Sequence, residues 1–180
     1  MNFVQPIRDP VKIDIMKKIF KSKNQRDYIM FLIGIGVGLR ISDILQLKKE
    51  DILGTHIIIK EKKTRKAKRI RIPPSIRKEL IEYAKTLKDG QYVIPSRQGG
   101  NRPIDRSTAY RILREAADSI GLKEIGTHTL RKTFGYHFYQ QTKDIALLQD
   151  LFNHTSPDIT MRYIGINQDV QDKAMMKYKI

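Results

Sequence analysis

Residues 34–43 read GIGVGLRISD. Three glycines at alternate positions follow the apolar run Met30–Ile33, and two kinds of structure accommodate such a pattern. One is a glycine-rich loop cradling a nucleotide phosphate. The other is a helix whose small residues pack against neighbours and whose end delivers Arg40 to a site. A dinucleotide loop needs G-x-G-x-x-G directly after a strand, with an acidic residue about twenty positions further on. Here the spacing is G-x-G-x-G, the preceding segment reads as helical, and no βαβ unit surrounds it. The glycines therefore read as packing, and Arg40 becomes the residue to explain.

Working outward, Asp9-Pro10 is a helix start, with a capping carboxylate ahead of proline at the first helical position. Ile13, Met16, Ile19 and Phe20 follow at helical spacing. The pattern predicts a second helix from Asn24 to about Gly38 and a short third over Ser42–Leu47. HIIIKE (56–61) and KRIRIP (68–73) read as two strands joined through KKTRKA. A helix opens at Ser75 after Pro73-Pro74 and runs to about Leu87, and PSRQGGNRPI (95–104) is a loop. Helices are then expected over 105–120 with Gly121 as C-cap, over 127–142, 144–152 and 157–163, and in a tail from about Asn167. The fold class is mainly α with a small antiparallel β-sheet (α+β). At 180 residues the chain is one domain with room for a real core.

The charge balance narrows the partners. Thirty-five Lys and Arg against nineteen Asp and Glu give a formal net charge of +16, which favours a polyanion. Nucleic acid comes first and an anionic membrane surface second. The membrane reading lacks its expected basic amphipathic helix with aromatic anchors. The longest apolar stretch, Tyr28–Leu39, is too short and glycine-rich to span a bilayer. The start MNFVQPIRDP has no apolar signal region. Cysteine is absent, which excludes a disulfide framework and Cys-ligated zinc and fits a reducing cytoplasm.

Four segments hold chemistry: GLRISD (38–43), KKTRKAKR (62–69), HTLRKTF (128–134) and NHTSPDITMRY (153–163). Each alone has a plain structural reading. Arg40 could be a surface charge, the basic run a solvated hairpin, and His128 and Arg131 two residues on one helix face. Tyr163 is one of eight tyrosines, most of which pack. In this order and spacing, however, the segments together resemble the catalytic domain of the tyrosine recombinases, the phage integrase family, from about residue 10 to 165. G-L-R-x-[ST]-[DE] is Gly38–Asp43, the K-T element is Lys63-Thr64 running on to Ile72-Pro73, and H-x-x-R is His128 and Arg131. The family's L-G-H-x-[ST]-x-x-x-[ST]-x-x-Y element spans Leu151–Tyr163, with Phe152-Asn153 replacing the usual Leu-Gly.

The resemblance implies that DNA is cut and resealed through a covalent 3′-phosphotyrosine, without metal, ATP or any other cofactor. Tyr163 would be the nucleophile, Arg40 and Arg131 the clamps on the non-bridging oxygens, and His128 the general base. His154 would hydrogen-bond the phosphate, Lys63 would protonate the leaving 5′-oxygen, and Asp43 would support the site. Lys62 and Lys66 lie within reach of the same hairpin tip as Lys63. Lys60, Lys62, Arg65, Lys66, Lys68, Arg69 and Arg71 would contact DNA phosphates.

On this resemblance residues 1–9 are expected to be a leader, 10–165 the catalytic core and 166–180 a tail helix, with no N-terminal core-binding domain expected ahead of them. In the family the tail packs on a neighbouring subunit, so double-stranded DNA, a homo-oligomer (a tetramer on DNA) and an accessory DNA-binding protein are the expected partners. Two other activities fit the same fold: a DNA-binding regulator, and a nicking-closing enzyme of the type IB topoisomerase kind.

Overall fold

In the computed structural model, which describes residues 4–60 and 67–179, the first two helices begin at capping side chains. Asp9 accepts from the Val11 N–H ahead of α1 (Pro10–Lys23), and Asn24 accepts from the Arg26 N–H ahead of α2 (Gln25–Val37). The chain continues through α3 (Ile41–Ile44), a 3-10 turn at Lys49–Ile52, β1 (His56–Lys60), β2 (Ala67–Arg71) and α4 (Pro74–Ala84). It ends with α5 (Arg106–Asp118), α6 (Thr129–Thr142), α7 (Ile145–Phe152), α8 (Pro157–Tyr163) and α9 (Ile166–Lys177). This is the expected mostly helical architecture with one two-stranded antiparallel sheet.

The centre of the core is α2, buried from Tyr28 through Gly34 and packed against α1, α4 and α6. Its glycines have three different neighbours. A β-carbon at Gly34 would overlap Leu130 of α6, and one at Gly36 would stand 2.7 Å from Ile76 Cδ1 of α4. Gly38 ends the helix in the left-handed region (φ 71°) against Phe134, a conformation that costs glycine nothing. The helix thus comes close to α6 and turns sharply, leaving Arg40 at the N-cap of α3.

A second apolar cluster lies under α6, α7 and α8, built on Leu148, Phe152, Ile164 and Ile166. Gly135 of α6 makes it possible, because a β-carbon there would stand 2.8 Å from the Phe152 ring and 2.7 Å from Ile164.

In the sheet, Ile57 pairs with Ile70 and Ile59 with Lys68. Alternation along the strands therefore sets Lys68 on the inner face with the isoleucines, while Lys60, Arg69 and Arg71 are exposed on the other. Lys62, Lys63, Arg65 and Lys66 lie outside the described residues.

Some elements differ from expectation: α4 ends at Ala84 rather than about Leu87, and α5 ends at Asp118 with Ser119, not Gly121, as its C-cap. α3 ends at Ile44 rather than Leu47, because the Leu47 carbonyl instead accepts from the Val93 N–H at 2.8 Å. The 3-10 turn was not anticipated. His128 precedes α6 rather than lying within it. The tail helix α9 buries only Ile166, and Val170, Met175 and Met176 are exposed. Among the described residues no helix is long and apolar enough to cross a membrane.

Candidate active site

Arg131 is the joint of the site. It lies one turn into α6 and is only 3% exposed, so its guanidinium has to be satisfied by protein. Nη1 donates to the Gly38 carbonyl at 2.7 Å and Nη2 to the Phe152 carbonyl at 3.0 Å. The same guanidinium lies 4.1 Å from the centroid of the Phe152 ring. One side chain therefore ties the turn carrying Arg40 to the end of α7, after which His154 follows. The Phe152 ring is a common floor: His154 and Tyr163 also meet it edge-on, at centroid distances of 5.4 and 5.6 Å.

Tyr163 is the last residue of α8, and its hydroxyl stands 3.3 Å from His128 Nδ1. Burial raises the phenol above its ordinary pKa, while Arg131 and Arg40 pull it back. Burial also lowers His128, reinforced by Lys132, Arg106, Arg131 and Arg40. The imidazole is thus neutral near pH 7 and able to accept a proton from a phenol that will not shed one unaided.

His154 is pushed further, down to about 4, by burial and then by Arg131, Arg40 and Lys68. Its Nδ1 lies 3.0 Å from Thr160 Oγ1, which is itself 3.3 Å from the Ser156 carbonyl. The turn into His154 explains the departure at Asn153. That residue caps α7 in the left-handed region (φ 54°), where glycine is free and asparagine is among the least penalised of the others. The usual glycine is replaced by a residue that still makes the turn.

Arg40 and Asp43 face each other at 4.0 Å, with side chains 17% and 3% exposed. Lys68 donates to the carbonyls of Asp150 and Leu151 at the C-terminal end of α7, which ties the sheet to the site. The structure thus gathers Arg40, Asp43, His128, Arg131, His154 and Tyr163, with Lys68 at the edge. Lys60 and Arg69 stay on the exposed face of the sheet, where Arg69 Nη2 lies 3.4 Å from His56 Nδ1. Lys63, with Lys62, Arg65 and Lys66, is outside the described residues.

Two members escaped the sequence reading. Lys132 places Nζ 5.1 Å from the Tyr163 ring centroid, and its position one turn after His128 on α6 was the available signal. Thr160, fully buried one turn before Tyr163, occupies the second [ST] of the quoted pattern without having been given a role. Among the described residues no group of three or more His, Asp or Glu side chains is placed to hold a metal ion.

The sequence matches the phage integrase family over residues 12–169. The probable integrase/recombinase YoeC of Bacillus subtilis (strain 168) is 52% identical over 181 residues, covering 100% of this chain and 98% of the relative. A tyrosine recombinase of Pseudothermotoga lettingae is 32% identical over 162 residues, 88% of this chain and 56% of that protein. The chain therefore spans nearly all of the first relative and little more than half of the second. The crystal structure of XerA recombinase superposes with a TM-score of 0.76 at 20% identity, over 98% of this chain and 65% of that one. A lambda integrase (75–356) dimer bound to a COC' core site gives 0.71 at 18%, over 91% and 60%. At these identities the two structures share the fold.

Proposed function

Because this chain belongs to the phage integrase family, we propose that it is a site-specific recombinase that cleaves and rejoins DNA through Tyr163. The observation that carries the reading is the Tyr163 hydroxyl 3.3 Å from a neutral His128, beside two arginines drawn from distant parts of the chain.

The reaction follows from that arrangement. The Tyr163 oxygen attacks phosphorus as His128 takes the phenolic proton, so that a P–O(Tyr) bond forms and the P–O5′ bond breaks. Arg40 and Arg131 face the charge that grows on the non-bridging oxygens, and Asp43 holds the Arg40 fork in place. The departing 5′-oxygen takes its proton from the hairpin, where Lys63 is the proposed acid. His154 donates to a non-bridging oxygen. The phosphotyrosine conserves the energy of the broken bond, so a 5′-hydroxyl from a second strand reseals it without ATP.

Double-stranded DNA is the substrate, and the charge of +16 supplies its sequence-independent attraction. The exposed apolar residues of α9 (Val170, Met175, Met176) support docking onto another subunit, with a tetramer on DNA as the working assembly in the cytoplasm. An accessory DNA-binding protein would add specificity. A regulator on the same fold would have no use for the His128–Tyr163 pairing. A nicking-closing enzyme would share the chemistry but not the substrate, so the test compares the two. Paired candidate sites should be required for strand exchange; relaxation of any supercoiled plasmid without such sites would favour the nicking-closing reading.

A further inference from the structure

We propose that Arg8 is a positioning residue for Tyr163, pinning the turn that follows the nucleophile from the far end of the chain. The inference rests on Tyr163 being the nucleophile.

Residues 5–9 lie as a strap across α6. The Gln5 N–H donates to the Glu124 carbonyl at 2.9 Å, and the Ile7 N–H to Thr133 Oγ1 at 2.9 Å. His137 Nε2 lies 2.8 Å from the Ile7 carbonyl, so the backbone just ahead of Arg8 is fixed to the helix that carries Arg131 and starts just after His128. From that anchorage Arg8 reaches the opposite end of the sequence. Its Nε donates to Asp169 Oδ1 at 2.8 Å and its Nη2 to the Gly165 carbonyl at 3.3 Å, while its guanidinium lies 5.5 Å from the Tyr136 ring centroid.

Gly165 shows how closely the strap covers the turn. It has φ 84°, and a β-carbon there would stand 2.7 Å from Arg8 Nη2 and 3.5 Å from both Gln5 Oε1 and Pro6 Cδ. This turn starts two residues after Tyr163. The helix it follows, α8, has seven residues and ends at Tyr163, so the turn lies directly behind the nucleophile. One planar fork holds both a carbonyl of the turn and the carboxylate one helical turn into α9, and a lysine cannot reproduce that geometry. The side chains of Arg8 and Asp169 are 31% and 22% exposed, shielded enough for the pair to exceed a solvent-exposed bridge.

The test uses the full chain with Arg8→Ala, Arg8→Lys and Asp169→Asn. Two quantities are measured: amide hydrogen exchange at Gly165 and Asp169 in the free protein, and the rate of denaturant-stable adduct formation on nicked duplexes carrying candidate sites from flanking DNA. Arg8→Ala should speed exchange at both amides and slow the adduct rate at saturating DNA by about tenfold, since a misplacement of ~1 Å alone costs on the order of 100-fold. DNA affinity should not change, and Arg8→Lys should recover part of both losses. Unchanged exchange in Arg8→Ala and Asp169→Asn removes the pin, and faster exchange with an unaltered saturated rate removes the positioning role. If the wild type forms no adduct while Arg8→Ala still loosens the turn, the nucleophile assignment fails and takes the positioning role with it.

Discussion

Thr160→Val tests the inner wiring of the site. His154 is neutral near pH 7, its pKa held at about 4, so it can donate to a phosphate only if the proton sits on Nε2. Nδ1 must then be an acceptor, and the Thr160 hydroxyl 3.0 Å away is the group placed to donate to it. In the free protein that hydroxyl donates to the Ser156 carbonyl at 3.3 Å, so its single proton must turn to Nδ1 when His154 engages the phosphate. Valine keeps the shape and removes the donor. If one net hydrogen bond of ~0.5–1.5 kcal/mol holds the tautomer, its loss slows strand cleavage by about 2- to 12-fold. Removing the imidazole itself, in His154→Ala, should cost on the order of 10²–10³. The buried vacancy at Nδ1 also destabilises the fold by ~1–3 kcal/mol, roughly 2–12 °C in Tm for a chain of this size. Single-turnover adduct formation on a nicked duplex reads the rates. Thr160→Ser should stay near wild type, and Thr160→Val should add nothing in a His154→Ala background. Full additivity in that background, or no slowing at all in the native one, refutes the tautomer argument.

Other residues give independent checks. Lys132→Met removes a cation that depresses His128, so the acidic limb of the cleavage rate, lost as pH falls through the His128 pKa, should move to higher pH. A pH–rate profile with an unmoved limb contradicts His128 as the base. Asn153→Gly should be tolerated, whereas Asn153→Val should cost ~1–2 kcal/mol of stability in denaturant titration, because a β-branched residue resists the left-handed region. Lys60→Ala should lower the salt slope of DNA binding by about 0.9 as one phosphate contact is lost, while Lys68→Ala should instead slow cleavage by loosening the sheet from α7.

Local signals in the sequence carried most of the fold. Periodicity, with the cap at Asp9, placed the helices to within a few residues, because those signals act over one or two turns. The reading of GIGVG as packing also held, yet nothing in the segment tells that Gly34 meets Leu130 while Gly36 meets Ile76. Such pairings are set by tertiary contacts. The same limit applies to the site: Arg131 bonds to carbonyls 93 residues before it and 21 after it, and Arg8 to a carboxylate 161 residues away. Lys68 is different, since its inward position was recoverable from strand alternation. It pairs with Ile59, so a period of two sets it apart from Arg69 and Arg71.

The central claim is that the Tyr163 oxygen becomes bonded to DNA phosphorus. Incubation with nicked duplexes bearing flanking-DNA sites, followed by denaturation, proteolysis and mass spectrometry, should find a nucleotide on the peptide containing Tyr163. Tyr163→Phe should abolish the adduct without weakening DNA binding. An adduct that maps to another residue, or that persists in Tyr163→Phe, would contradict the account.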